Sequence, residues 1–285
     1  MRADVDRRLD ELSPHSACAL DAAIRYALLA PGKRLRPLLT MLAARELGVP
    51  ALRALDAACA LEMIHAASLV LDDLPCMDDA PSRRGQPSAH RVFGQDVAVL
   101  AAVTLLSRAY AALANAPGLA PEQRVRLVAV ATEAVGSNGL AGGQLRDLRG
   151  AHAALDSVSD GNHRKTGALF VAAALMAGAV AGSSEAQVKG LCTFATHLGQ
   201  AFQIMDDLQD GPDVCGEGGS ATEDAGKITV LSLLGRDGAR RRLESHLRHA
   251  GAALRPGSDL AMFARQIFDQ ALGSSAASLA RVAHA

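Results

Sequence analysis

Residues 51–73 read ALRALDAACALEMIHAASLVLDD, and after Asp56 almost every position is apolar or small until Asp72 and Asp73. A helix that is apolar on all sides cannot lie on a surface; it has to be wrapped by other helices. This segment alone calls for a large helical bundle. The rest of the chain agrees, because Ala and Leu dominate and no period-2 alternation occurs. Helices are expected at about 16–29, 34–47, 51–72, 95–114, 121–138, 160–180, 185–208, 226–234, 237–250 and 258–282. Pro121 with Glu122 suits a helix start, and Ser184 with Gln187 resembles a capping box. No strand is expected. The fold class is all-α, a single-domain helical bundle over 1–285, with residues 211–226 as its one long loop.

The end of the oily helix poses a chemical question. Carboxylates placed against apolar surface normally cost several kcal/mol unless paired or bound to metal. Asp72 and Asp73 are followed, after a break at Pro75, by Asp78 and Asp79. A second cluster, Asp206, Asp207 and Asp210, lies in GQAFQIMDDLQD. On a helix Asp206 and Asp210 are one turn apart, an arrangement that destabilises the helix unless a cation intervenes. Hard oxygen ligands without convergent His or Cys favour Mg²⁺, which completes its shell with water and substrate phosphate. Basic residues stand in matching places: Lys33, Arg34 and Arg36; Arg83 and Arg84; Lys165 beside Thr166; and Lys227. Together they suggest two diphosphate sites, one bridged by metal and one held by Arg and Lys.

Bulk properties exclude other classes. Lys+Arg 29 against Asp+Glu 30, no Trp and 3% aromatics argue against nucleic-acid partners and stacking platforms. Five cysteines (Cys18, Cys59, Cys76, Cys192, Cys215) without a C-x-x-C suggest reduced thiols in a cytoplasmic protein. The N-terminus MRADVDRRLDELS lacks the apolar core of a signal peptide. The longest apolar stretch is expected to be GALFVAAALMAGAVAG, which falls short of the roughly 20 apolar residues of a spanning helix, so no stable membrane insertion is expected.

These residues carry a resemblance to the trans-isoprenyl diphosphate synthases (head-to-tail prenyltransferases), and most closely to bacterial geranylgeranyl diphosphate synthases of carotenoid pathways. From about Gly32 to Ala239 the segments GKRLRP, EMIHAASLVLDDLPCMDDAPSRRGQPSAH, GLAGGQLRDL, HRKTGALF, LGQAFQIMDDLQD and DAGKIT stand in family order. The resemblance implies the all-α isoprenoid synthase fold around a deep central cavity, and a homodimer. It implies that Asp72, Asp78 and Asp206 bind three Mg²⁺ ions bridging to an allylic diphosphate (dimethylallyl, geranyl or farnesyl), with Asp73, Asp207 and Asp210 completing the clusters. Arg83, Lys165 and Lys227 would hold that diphosphate, with Thr166, Gln203, Gln144 and Asp147 lining the site. Lys33, Arg36, His65 and Arg84 would hold isopentenyl diphosphate.

Three departures from the family pattern stand out. Ala80, Pro81 and Ser82 replace further acid and Leu. The loop after Asp210 lacks a Gly-Lys, and Val230 stands where many relatives have Tyr. Product length is implied by Ala67 and Ser68, five and four residues before Asp72, where farnesyl-forming relatives carry a bulky aromatic. Both are small here, which favours a C20 product over the alternative, C15 farnesyl diphosphate. A class I terpene cyclase and a non-catalytic subunit of a heteromeric synthase are rival readings. The Asp-rich second motif and GKRLRP oppose the first, and two intact acid motifs oppose the second.

Overall fold

The computed structural model describes residues 1–149, 167–210 and 229–272. Its helices are α1 (Arg2–Leu12), α2 (Ala19–Leu28), α3 (Leu35–Glu46), α4 (Leu55–Asp72), α5 (Ala89–Phe93), α6 (Gln95–Ala114), α7 (Pro121–Val135), α8 (Leu140–Leu148), α9 (Ala168–Ala181), α10 (Glu185–Asp210), α11 (Val230–Ala252) and α12 (Asp259–Leu272). A short 3₁₀ turn, Ala51–Ala54, leads into α4. The contacts group into two compact units, Met1–Gly136 with Ala172–Val188, and Ser137–Val171 with Lys189–Ala285.

In the first unit α4 is the axis, packed by α1, α2, α3, α6 and α7. Its run from Asp56 to Ile64 is buried without a break, as its composition demands. The charged N-terminal segment, for which no helix was expected, forms α1. It buries only Val5 and Leu9, one turn apart, against α4. Its exposed face carries Arg7–Asp4 and Arg8–Glu11 pairs one turn apart. Arg8 also makes a two-pronged pair with the buried Asp56 carboxylate, 2.8 and 3.1 Å, tying α1 to α4. Helix α7 begins at Pro121 as expected, and Gln123 accepts from the Ala120 N–H. The Gln123 and Arg126 side chains donate to the carbonyls of Ala179, Val180 and Ser183, which close α9.

In the second unit Gly167 and Gly199 let the start of α9 approach α10 closely. A Cβ on Gly199 would lie 3.0 Å from the Gly167 Cα. One turn on, Phe170 and Phe202 pack ring to ring at 5.7 Å. The GALF (167–170) and GQAF (199–202) segments therefore meet as a pair of helix faces. Helix α11 breaks at Gly235, between the two helices expected at 226–234 and 237–250. Back in the first unit, Ser184 and Gln187 form the capping contact expected of them, the Ser184 N–H donating to Gln187 Oε1 at 2.9 Å.

Two expectations need correction. Ser82–Arg83 and Gln86–Pro87 form a two-stranded antiparallel hairpin, so strand structure is not absent. The longest apolar helices also lie elsewhere than 168–181. Ala51–Asp72 and Gln95–Ala114 are each long and apolar enough to cross a bilayer, but 72% of the first one's apolar window is buried by protein, against 33% of the second's.

Candidate active site

At the C-terminus of α4 the chain makes a tight return. The N–H groups of Met77 and Asp79 bond the Leu74 carbonyl, and the Asp78 N–H bonds the Asp72 carbonyl at 3.0 Å. The last bond accounts for the spacing D-D-x-x-x-x-D, since it sets Asp72 and Asp78 side by side although five residues lie between them. Asp73 points differently. It is buried and receives Arg83 Nε and Nη2 at 2.8 and 2.5 Å. Burial pushes the Asp73 carboxyl up, against the pull of Arg83. Burial also opposes the Arg83 charge, but Asp73, Asp72 and Asp78 outweigh it and raise that guanidinium's pKa. Arg83 keeps its proton, as arginine side chains do. Asp79, in the left-handed region at φ 44°, turns away and pairs with Arg91 at 3.0 Å.

The hairpin that follows sorts two adjacent arginines. Arg84 and Gly85 form its two-residue turn with φ 54° and 78°, the both-positive pattern of a type I′ turn. Arg83 reaches Asp73 on one side. Arg84 reaches the opposite way, its Nη2 lying 3.3 Å from His65 Nε2. Arg36, on α3, places Nη1 3.1 Å from the same nitrogen. Guanidiniums only donate, so Nε2 accepts and the His65 proton sits on Nδ1. Burial first, then Arg36, Arg84, Arg83 and Arg34, hold the His65 pKa well below its usual 6.5. Burial also lowers the Arg84 pKa, opposed by Glu62 and reinforced by Arg34 and Arg83. Two guanidiniums converging on one neutral imidazole make a charged pocket that an anion relieves. Exposed Lys33 adjoins it in the chain, and the Gly32 Cα lies against Arg84: an added Cβ would meet its Nη1 at 3.0 Å.

Ala80–Ser82 lead into the hairpin. Ser88 donates through its Oγ to the Ala80 carbonyl and through its N–H to the Pro81 carbonyl. Tyr26 Oη donates to the Pro87 carbonyl at 2.7 Å. Ala80, which is buried, and Pro81 are thus held through their carbonyls.

Arg34 turns inward, away from the neighbouring basic positions. It is buried, in the left-handed region at φ 51°, and it pairs with Glu62 at 2.8 Å and Asp6 at 2.9 Å. Glu62 and Asp6 were given no role from sequence, although a glutamate inside an apolar helix was the available signal. Ala67 is fully buried, and Ser68 Oγ donates to the His65 carbonyl.

In the second unit Asp206 and Asp207 lie half-buried on α10, which runs unbroken to Asp210. Gln203 Nε2 donates to Asp207 Oδ1 at 3.0 Å. On α8, the Gln144 amide is buried, and neither of its polar atoms finds a hydrogen-bond partner among the described residues. Such an orphan costs about 1–3 kcal/mol and points to a ligand. Asp147 lies half-buried one turn on. Lys165, Thr166 and Lys227, and the loop 211–226, fall outside the described residues.

No group of three His, Cys, Asp or Glu side chains gathers as a metal cage among the described residues. The Asp72 and Asp78 carboxylates offer hard oxygen donors, which suit Mg²⁺, an ion that takes one or two carboxylates and leaves the rest to water and phosphate.

A sequence model of the polyprenyl synthetase family matches residues 18–250. The chain is 45% identical over 286 aligned positions to geranylgeranyl diphosphate synthase of Pantoea ananas, covering 95% of this chain and 93% of that one. It is also 45% identical to the geranylgeranyl diphosphate synthase of Pseudescherichia vulneris, covering 88% and 83%. Among solved structures, an FPP/GFPP synthase from Zymomonas mobilis superposes with a TM-score of 0.83 at 33% identity, covering 93% and 95%.

Proposed function

This chain belongs to the polyprenyl synthetase family, and from that premise we propose that it couples isopentenyl diphosphate head-to-tail to an allylic diphosphate, ending at geranylgeranyl diphosphate. The observation that carries this reading is the hairpin. It commits Arg83 to the acid cluster and Arg84 to the Arg36–His65 pocket, as two separate diphosphate sites require. Chain elongation needs both sites; a cyclase needs one.

In this reading Asp72, Asp78 and Asp206 hold three Mg²⁺ ions, with Asp73, Asp207 and Asp210 beside them. Bound there, Mg²⁺ neutralises charge on the leaving diphosphate. Arg83, Lys165 and Lys227 bind the same diphosphate, and Thr166, Gln203, Gln144 and Asp147 line its site. The orphaned Gln144 amide supports that role. Lys33, Arg36, His65 and Arg84 hold isopentenyl diphosphate. The allylic C–O bond breaks, the double bond of isopentenyl diphosphate attacks C1 of the cation, and the released diphosphate takes the proton lost. Apolar walls keep water from the cation. Ala67 and Ser68 leave room below the acids for a longer chain.

We read the whole chain as one cytoplasmic catalytic domain working as a homodimer. Val99, Leu100 and Val103 form an exposed apolar stripe on α6, which supports a subunit contact on that face. The purified protein, given Mg²⁺, farnesyl diphosphate and labelled isopentenyl diphosphate, is expected to release C20 product. A stop at C15, or inactivity rescued only by a second polypeptide, would overturn this reading.

A further inference from the structure

Outside the diphosphate sites, the second unit brings three histidines together. His197 lies on α10, and His246 and His249 lie one turn apart on α11. His197 Nδ1 and His246 Nδ1 are 3.1 Å apart. The His249 ring stacks on His197 at 5.1 Å, and its own Nδ1 is taken by the Ser245 carbonyl. We propose that His197 and His246 form a two-nitrogen site for a divalent transition-metal ion, one that pins α10 to α11 and is separate from the Mg²⁺ carboxylates.

The geometry supports this. With metal–nitrogen bonds of about 2.0–2.1 Å, nitrogens at this spacing subtend an angle of about 100° at the ion, between octahedral and tetrahedral values. The lone pairs now share one proton along the Nδ1–Nδ1 line. Reaching an ion requires each to turn by about 40°, which the broad χ2 torsion of histidine permits. Burial, reinforced by His197, Arg242 and His249, lowers the His246 pKa to about 4. Burial and His249 lower that of His197 as well. Both rings are therefore neutral at pH 7, the state a ligand needs. Arg242 adds a repulsive charge that limits affinity, and water completes the coordination shell. Neutral imidazoles suit Zn²⁺, Ni²⁺ or Cu²⁺ and leave Mg²⁺ on oxygen. His197 lies nine residues before Asp206 on the same helix, about 13 Å along its axis.

The test uses the full chain in excess Mg²⁺. Adding Ni²⁺ should raise the melting temperature of wild type, H249Q and D206N in a concentration-dependent way. The rise should vanish in H197Q and H246Q, whose metal-free melts report their folding in the same run. Cu²⁺ electron paramagnetic resonance on wild type needs no variant, and should show two coordinated nitrogens. No rise in wild type, an undiminished rise in H197Q/H246Q, loss of the rise in H249Q or D206N, or fewer than two nitrogens would each overturn the proposal.

Discussion

Replacing Glu62 by alanine removes the innermost partner of Arg34. The two side chains are 3% and 4% exposed and meet at 2.8 Å, so the pair is shielded from solvent. Taking one member from a buried pair costs about 3–5 kcal/mol, because the other charge is left desolvated. Asp6, 45% exposed, still holds Arg34 Nε at 2.9 Å, which places the expected loss at the lower end, about 3 kcal/mol. At about 2–4 °C per kcal/mol for chains approaching this size, the melting temperature should fall by about 6–12 °C. The pair also holds residue 34 in a left-handed conformation that costs about 1–2 kcal/mol for a non-glycine. Released from it, the backbone relaxes and shifts the flanking Lys33 and Arg36. The KM for isopentenyl diphosphate should then rise by about tenfold, a loss of about 1.4 kcal/mol, while that for the allylic substrate stays within about twofold. Steady-state kinetics on the folded variant separate the two. An unchanged melting temperature, or equal KM effects on both substrates, would refute the reasoning.

Two further predictions rest on particular side chains. His65 and His246 have pKa values below 6.5 in the folded protein, so the unfolded chain takes up their protons first as pH falls. Stability should be constant in this respect above pH 6.5 and drop from there toward pH 4; a urea midpoint from these groups that rises on acidification over that window would contradict the assignment. A67Y, which places a ring at a fully buried position one turn before the acids, should shorten the product from C20 to C15 in chain-length analysis. An unchanged product would place the floor of the cavity elsewhere.

Much of the fold was legible because α4 is apolar on all sides and must be wrapped, and because helix period and burial coincide in α10. Helix α1 was not. Its apolar side is only Val5 and Leu9, and its stability comes from ion pairs and contact with α4 that no local pattern reveals. The hairpin at 82–87 was equally hidden, since two-residue strands have no periodicity and only the Gly85 turn residue hinted at it. At the site, residue type and spacing singled out the acids and the basic positions as candidates. What they could not show is orientation. Arg34 stands between Lys33 and Arg36 yet turns into the core, and Arg83 and Arg84 are neighbours yet serve opposite sides of a turn. Both outcomes depend on positive φ values that an arginine rarely adopts.

The division of labour between those two arginines is the central claim, and paired kinetics on R83A and R84A test it most directly. R84A should raise the KM for isopentenyl diphosphate by at least about tenfold, as loss of a charged contact worth about 1.5–3 kcal/mol implies, and leave the KM for farnesyl diphosphate nearly unchanged. R83A should show the opposite pattern, with a lower kcat and weakened use of farnesyl diphosphate and Mg²⁺. Identical effects of the two substitutions on both substrates would contradict the account.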